Sequence, residues 1–433
     1  MATAKKTGKA TVADDGFAFF QNIKVNDRYA DKLIRHPNFG FCDSGSYAFN
    51  ALLSGDIFGG FPLNRFIMVA GKQQSGKSFI AKNNFAYGLM KKGYYIFWYD
   101  TEGETTEEDL EEQNGFVPGQ YRLIKEITTV EDYFISVNGI INKLEVDRGD
   151  SIELKRKCAI VLDSQGELST EKAINDATKG EIKSDMTKAK ILAGMYRSIT
   201  NRCANLGIPM FITNHIYMDS SGAMFGNPEK IAGGEGAQFS ASIILSLYKT
   251  YEKPSKDGDI TGVVLNATIT KSRLVKAKLK APIYVDYNHG IDRYYGLQRI
   301  AENAGLVEEW SKEKYGNLEK PIDEDTGKKT LKTCYVIKDP NKEPDQWIVC
   351  TMKGLMKKTG LGTILEPLNE YVKSEYKFRP PKIRRDDEDL DLDEEQVKVA
   401  TKKAEHNIKA EAKYMAETAK KMLQPDESVD AAE

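Results

Sequence analysis

Phe66 to Ser78 reads FIMVAGKQQSGKS, five mostly apolar residues running into Gly71-Lys72-Gln73-Gln74-Ser75-Gly76-Lys77-Ser78. The last eight residues match G-x-x-x-x-G-K-[ST] at every fixed position; a buried-type strand pattern precedes them and an amphipathic helix pattern, Phe79 to Lys92, follows. That context decides the fold class. A strand, a glycine-rich turn and a helix whose N-terminal N–H groups face an anion make a phosphate-binding loop in an α/β protein. Gly71 to Phe79 form the cradle; Lys77 is placed to reach the β- and γ-phosphates of ATP and the Ser78 hydroxyl to ligate Mg²⁺.

The composition bounds what this loop can belong to. With 433 residues, 40% of them hydrophobic, the chain can hold one large domain and something smaller. Its formal net charge of −2 names no polyanionic partner, so any contact with nucleic acid must come from a local patch. Five cysteines without a C-x-x-C pair point to free thiols in a reducing compartment. No apolar run approaches the ~20 residues of a membrane span, and the first residues carry no apolar signal core. The expectation is a cytoplasmic protein with no membrane contact.

Further strands end in chemistry-bearing residues. Tyr94 to Tyr99 is a second buried-type strand closed by Asp100-Thr101-Glu102. A carboxylate there suits the task of orienting and deprotonating a water; Glu102 equally suits the acidic surface run that continues to Glu112. Cys158 to Leu162 ends in Asp163, the second half of a nucleotide-site signature, and Ile208 to Thr213 ends in Asn214-His215. Ends of this kind are where open α/β sheets bind ligands. Two segments predicted as long loops, Gln165 to Lys183 and Ile216 to Gly236, leave these ends, and loops of that length inside a domain call for a ligand. The second carries an apolar tip, Met224-Phe225, followed by Gly226-Asn227, which suits insertion between unstacked bases. Ser184 to Asn205 is helical in pattern.

Ser240 to Lys249 and Val263 to Ile269 read as strands. The basic stretch Lys271 to Lys280 after them is either a solvated hairpin face or a source of cations for a phosphate, in its own subunit or across an interface. Beyond Gly296 the pattern changes: Leu297 to Trp310 reads as helical, Ile322 to Thr333 as a charged hairpin, and Tyr335 to Val372 as a short strand with one or two helices. Asp386 to Glu395 carries eight carboxylates in ten residues, and Val397 to Leu423 has alanine and lysine at helical spacing. A run so acidic is solvated, or it competes with DNA for a basic surface. The resulting division is 1–38 as an N-terminal tail and oligomerisation segment, 39–297 as the core, 298–385 as a C-terminal domain and 386–433 as the acidic run and helix.

The order Ser44-Gly45-Ser46, phosphate loop, Asp100-Thr101-Glu102, Leu162-Asp163-Ser164, Asn214-His215, Met224-Phe225-Gly226-Asn227-Pro228-Glu229 and Gly233-Gly234 resembles the RecA family of recombinases. Ser184 to Lys190, Lys271-Ser272-Arg273 and Gly290-Ile291-Asp292 are most similar to its phage members. The resemblance implies a RecA-like P-loop NTPase core, a twisted, mostly parallel sheet flanked by helices, with a short N-terminal segment and a smaller α+β C-terminal domain. It implies an ATP- and Mg²⁺-dependent, DNA-stimulated ATPase that forms filaments on single-stranded DNA and exchanges strands with double-stranded DNA in recombination, repair and replication. A single-strand-binding protein and a loading mediator are its implied partners.

Residue by residue, the resemblance makes Glu102 the water-activating carboxylate and Asn214 and His215 the γ-phosphate switch. Lys271 and Arg273 become cations that reach a neighbouring subunit's nucleotide. Lys190 and Arg197 become DNA-backbone contacts, and Gln165 to Lys183 and Ile216 to Ala232 the two DNA-binding loops. One departure stands out: where the family has an aromatic residue against adenine, this chain has the polar run Thr105 to Asp109. The rival readings are a ring-forming replicative helicase, which normally has a partner-binding domain ahead of its core, and a non-catalytic recombination mediator. Lys77, Glu102 and Asp163 speak against the mediator.

Overall fold

The computed structural model describes residues 39–149, 156–181, 187–218, 229–252, 260–323 and 327–378, all within the compact unit Met1–Phe378. The expectations for 1–38, for Ser184 to Met186, for Met224 to Asn227 and for everything after residue 378 fall outside the described residues.

A small ribbon, β1 (Phe41–Cys42) with β2 (Phe61–Pro62), precedes the main sheet. The main sheet comprises β3 (Phe66–Gly71), β4 (Tyr95–Asp100), β5 (Tyr121–Ile124), β6 (Cys158–Asp163), β7 (Met210–Met218), β8 (Glu229–Ile231), β9 (Ile243–Glu252), β10 (Gly262–Ser272), β11 (Lys280–Asp286) and β12 (Gly290–Ile291). Across it the order is β12-β11-β10-β9-β3-β7-β6-β4-β5, with β8 on β7. From β9 to β5 every neighbour runs parallel; β10, β11 and β12 extend the edge as antiparallel strands. This is the mostly parallel α/β sheet that the resemblance implies.

Alternation along each strand builds two cores. Ile67 and Val69 of β3 join Ile96, Trp98, Val161 and Phe211 on one face, against the helix Tyr47–Ser54 and the helix after the phosphate loop. Phe66 and Met68 join Tyr99, Ile160, Leu162 and Ile212 on the other face, against the helices Val130–Arg148 and Thr187–Leu206. Because side chains change face every residue, a strand covered on both sides must be apolar throughout. All six residues of β3 and all six of β6 are buried. The helices answer with one-sided stripes, Val130, Tyr133, Val137 and Ile141 on one and Leu192, Met195, Tyr196, Ile199 and Cys203 on the other. Leu297, Val307, Ile337, Leu368 and Val372 share the first core with β3; Tyr315, Leu318 and Val336 make a small cluster of their own.

Four predicted elements differ. The helix after the loop is not uniform: Lys77–Phe79 and Tyr87–Lys91 are α-helical around a π-helical middle, Ile80–Ala86. Gln165 to Lys183 is not structure-poor; it holds a tight turn at Gln165–Glu167 and a helix, Glu171–Thr178, whose N-cap Thr170 accepts from Ala173 N. That helix buries no residue, and its Ile174 is exposed. The strand predicted to stop at Thr213 runs on to Met218, because Ile216 to Met218 find antiparallel partners in Ile231 to Glu229. The helix from Leu297 ends at Asn303, where Gly305 takes φ +69° and the chain turns into a strand, Val307–Glu309.

Phe211 is fully buried, 4.9 Å from the Phe85 ring centre and 6.0 Å from that of Phe61. Phe211→Ala is expected to destabilise the fold by roughly 3–5 kcal/mol, read as a lower denaturant midpoint at unchanged slope.

Candidate nucleotide site

The phosphate loop sits where β3 ends. Gly71 lies between His215 of β7 and Leu247 of β9, and a Cβ on it would come within 2.9 Å of the Leu247 carbonyl oxygen. Gly76 takes φ +90°, and a Cβ there would sit 2.7 Å from Leu265 Cδ2; both positions require glycine. Lys77 is 6% exposed and its Nζ donates to the carbonyls of Gly71 (3.2 Å) and Lys72 (2.9 Å), folding over its own loop. Burial pushes its ammonium below the usual lysine range, while Asp163 and Glu102 pull it back up. The Ser75 hydroxyl is buried without a protein partner. Lys72, Gln73 and Gln74 are exposed, and Ser78 and Phe79 are half-buried at the start of the helix.

Asp163 ends β6, directly beside Asp100 at the end of β4. It is 5% exposed and accepts a hydrogen bond from Thr213 Oγ1. Burial raises its carboxyl above the ordinary value, opposed by hydrogen bonds from Thr213 and Ser78. Ser78 and Asp163 thus already meet across the loop. A hydroxyl, a carboxylate, a buried lysine, an orphaned serine hydroxyl and a glycine turn form a donor set that fits a magnesium nucleotide.

Glu102 is positioned by backbone rather than by packing. Asp100, 3% exposed, accepts from the N–H groups of Glu102 (3.1 Å), Gly103 (3.0 Å) and Thr105 (2.9 Å). Thr101 Oγ1 donates to Ser164 O and accepts from Ser164 N, stitching the ends of β4 and β6 together. The polar run Thr105 to Asp109 is committed to structure: Thr106 Oγ1 accepts from Asp109 N and bonds its carboxylate, and the Thr105 carbonyl accepts from Lys125 Nζ.

His215 gathers this edge. Its Nε2 lies 3.3 Å from Ser164 Oγ, 3.4 Å from Glu102 Oε1 and 3.7 Å from Glu167 Oε1. Asn214 is buried, donates to Ala232 O and accepts from His215 N, so the root of the β7–β8 hairpin is bonded to the same place. Glu229 on β8 lies 3.7 Å from Lys72 Nζ and accepts from Tyr248 OH.

Sequence reasoning found Lys77, Ser78, Glu102, Asp163, Asn214 and His215, and the fold brings them together. It missed the parts played by Asp100, Thr101, Ser164, Glu167, Thr213 and Glu229. Asp100 and Ser164 were visible only as neighbours of other residues, and nothing local marks Glu167.

The fold separates Lys271 and Arg273 from this group. Their side chains donate to carbonyls at the end of the helix Glu235–Ser240, Lys271 to Gln238 and Phe239 and Arg273 to Phe239; burial, then the nearby Arg273, pushes Lys271 below its ordinary range. Ser272 lies opposite Ile243, which pairs with Ile67. The pair is therefore four residues, roughly 13 Å of strand, from the phosphate-loop edge. Lys190 and Arg197 are exposed on one helix. Arg197 lines a cavity of about 330 Å³ with Arg65, Phe239 and Arg273.

Residues 137–292 match the RecA N-terminal domain family. The chain is 31% identical over 267 residues to a "Recombination and repair protein" of Enterobacteria phage T4, covering 60% of this chain and 62% of that protein. It is 28% identical over 251 residues to "Protein RecA" of Thermotoga sp. (strain RQ2), covering 58% and 65%. It thus spans less than two thirds of the length of these relatives. A crystal structure of the RadB recombinase aligns with a TM-score of 0.38 at 19% identity, over 54% of this chain and 93% of that one. The chain is similar to RecA-type recombinases, and the family match begins beyond the phosphate loop.

Asp100→Ala leaves three N–H groups without their acceptor and is expected to cost roughly 2–3 kcal/mol, whereas Glu104→Ala in the same exposed turn should be close to neutral. Denaturant titrations of the two variants check the contrast.

Proposed function

We propose that the protein is an ATP-hydrolysing recombinase that assembles on single-stranded DNA and pairs it with a homologous duplex. The observation that carries this reading is the convergence of Lys77, Ser78, Asp163 and Glu102 at one sheet edge, with His215 touching Glu102 and rooted in the hairpin that leads to residues 219–228. A nucleotide site and the candidate DNA segments therefore share side chains. The similarity to a phage recombination and repair protein and to RecA supports the reading.

Lys77 leaves its loop carbonyls for the β- and γ-phosphate oxygens, Ser78 and Asp163 would hold Mg²⁺, and the loop N–H groups and helix N-terminus would face the phosphates. The metal ion supplies neutralisation of phosphate charge. Glu102 orients a water and takes its proton as the oxygen attacks the γ-phosphorus; the bond to the β-phosphate oxygen breaks, giving ADP and phosphate. Asn214 and His215 relay γ-phosphate occupancy to the hairpin. Lys271 and Arg273 stand too far from their own phosphate loop to serve it, which fits cations supplied to a neighbouring copy in a filament. Lys190, Arg197 and the segments that include Met224, Phe225, Gly226 and Asn227 hold the DNA, with an affinity that falls as salt rises. A single-strand-binding protein and a loading mediator complete the expected partners.

Lys77→Ala is expected to abolish ATP turnover in a phosphate-release assay; DNA-stimulated hydrolysis surviving in that variant rules out the site. Arg273→Ala should lose hydrolysis while its thermal melt stays within a few degrees of the wild type. Normal activity at every protein concentration would exclude a shared site.

A further inference from the structure

Glu167 takes no step in the hydrolysis as proposed so far, yet its carboxylate faces the same His215 nitrogen as that of Glu102. One imidazole nitrogen, Nε2, faces Ser164 Oγ at 3.3 Å, Glu102 Oε1 at 3.4 Å and Glu167 Oε1 at 3.7 Å. None of these is the 2.7–2.9 Å of a settled charge-assisted bond. The nitrogen carries at most one proton and can give it to one acceptor at a time. A tilt of well under 1 Å decides which carboxylate receives it.

The two carboxylates belong to different elements. Glu102 is fixed by the Asp100 clamp after β4. Glu167 is on the turn Gln165–Glu167 after β6, and the His215 ring lies directly on that turn: a Cβ at Gly166 would come within 2.7 Å of His215 Cδ2. Lys188 Nζ donates to Gly166 O at 2.8 Å, tying the turn to the first residues of the helix Thr187–Leu206. The turn that carries Glu167 therefore shares its anchorage with the helix that follows.

We infer that Glu167 is a positioning residue, a second partner that draws His215 away from Glu102 when DNA engages the helix Glu171–Thr178 that follows the turn. With His215 on Glu102, the imidazole occupies a carboxylate lone pair that the attacking water needs. With His215 on Glu167, Glu102 is free to accept the water proton. This rests on the recombinase reading and specifies how the first long segment regulates that site; Glu102, His215 and Glu167 are the three members of the switch.

The test is steady-state ATP hydrolysis by the full-length protein with and without a single-stranded oligonucleotide, for wild type, Glu167→Gln and Glu167→Asp, with thermal melts of all three. Glu167 is 53% exposed, so both variants should fold. Glu167→Gln is expected to lower the fold-stimulation of kcat by DNA about fivefold or more, the low end of coupling between linked sites, with KM for ATP little changed. Glu167→Asp should recover part of the loss, since it keeps the charge. Stimulation preserved in Glu167→Gln overturns the inference, as does an equal loss in Glu167→Asp, which would make the carboxylate irrelevant. A wild type that hydrolyses ATP without any response to DNA overturns the recombinase reading and this inference with it.

Discussion

The structure depends on β3 being hydrogen-bonded on both edges and buried on both faces. Its neighbours β7 and β9 run parallel to it, so no backbone group along it needs water, and the five side chains before Gly71 are all available for packing. At Gly71 this arrangement stops. β3 leaves the sheet there while β7 runs on to Met218 and β9 to Glu252, and its next N–H groups have no strand to pair with. A glycine turn and a helix N-terminus resolve that geometry, and the same unpaired donors make the place attractive to phosphate.

Parallel strands also deliver polar residues to one edge by necessity. β4 and β6 are apolar until their last residues, Asp100 and Asp163, and β7 presents Asn214-His215 beside them before running on to Met218. Three acidic groups in one half-buried region would repel one another. The fold separates their tasks: Asp100 is consumed by backbone N–H groups, Asp163 by hydroxyls and the field of the buried Lys77, and Glu102 is left reachable beside an imidazole. Loss of solvent at Lys77 and at Asp163 penalises each charge alone, and their mutual attraction offsets part of that cost.

The opposite sheet edge has a chemistry of its own. Lys271 and Arg273 neutralise the carbonyl end of a short helix, the favoured place for cations, and Arg65, Arg197 and the exposed Phe239 surround the same cavity. A surface that pairs clustered cations with an exposed aromatic ring is suited to meeting another molecule. The phosphate loop thus lies at one end of the strands and these cations at the other.

The phosphate loop, the buried strands and the residues at their ends were legible because each is announced by contiguous sequence: a glycine-lysine spacing, an apolar run, a carboxylate directly after it. The helix Glu171–Thr178 was not, since it is short and buries nothing, and neither was the continuation of β7, whose partner lies beyond a ten-residue interval. By itself the sequence determined that a triphosphate loop stands on a buried strand, because local periodicity and backbone stereochemistry suffice for that. Only the tertiary structure decided that Asp100 clamps the Glu102 turn, that Glu167 shares His215 with Glu102, and that Lys271 and Arg273 lie at the far edge. Those facts depend on strand order and register, which bring together residues up to 113 positions apart in the case of Glu102 and His215, and no short window of sequence encodes such distances.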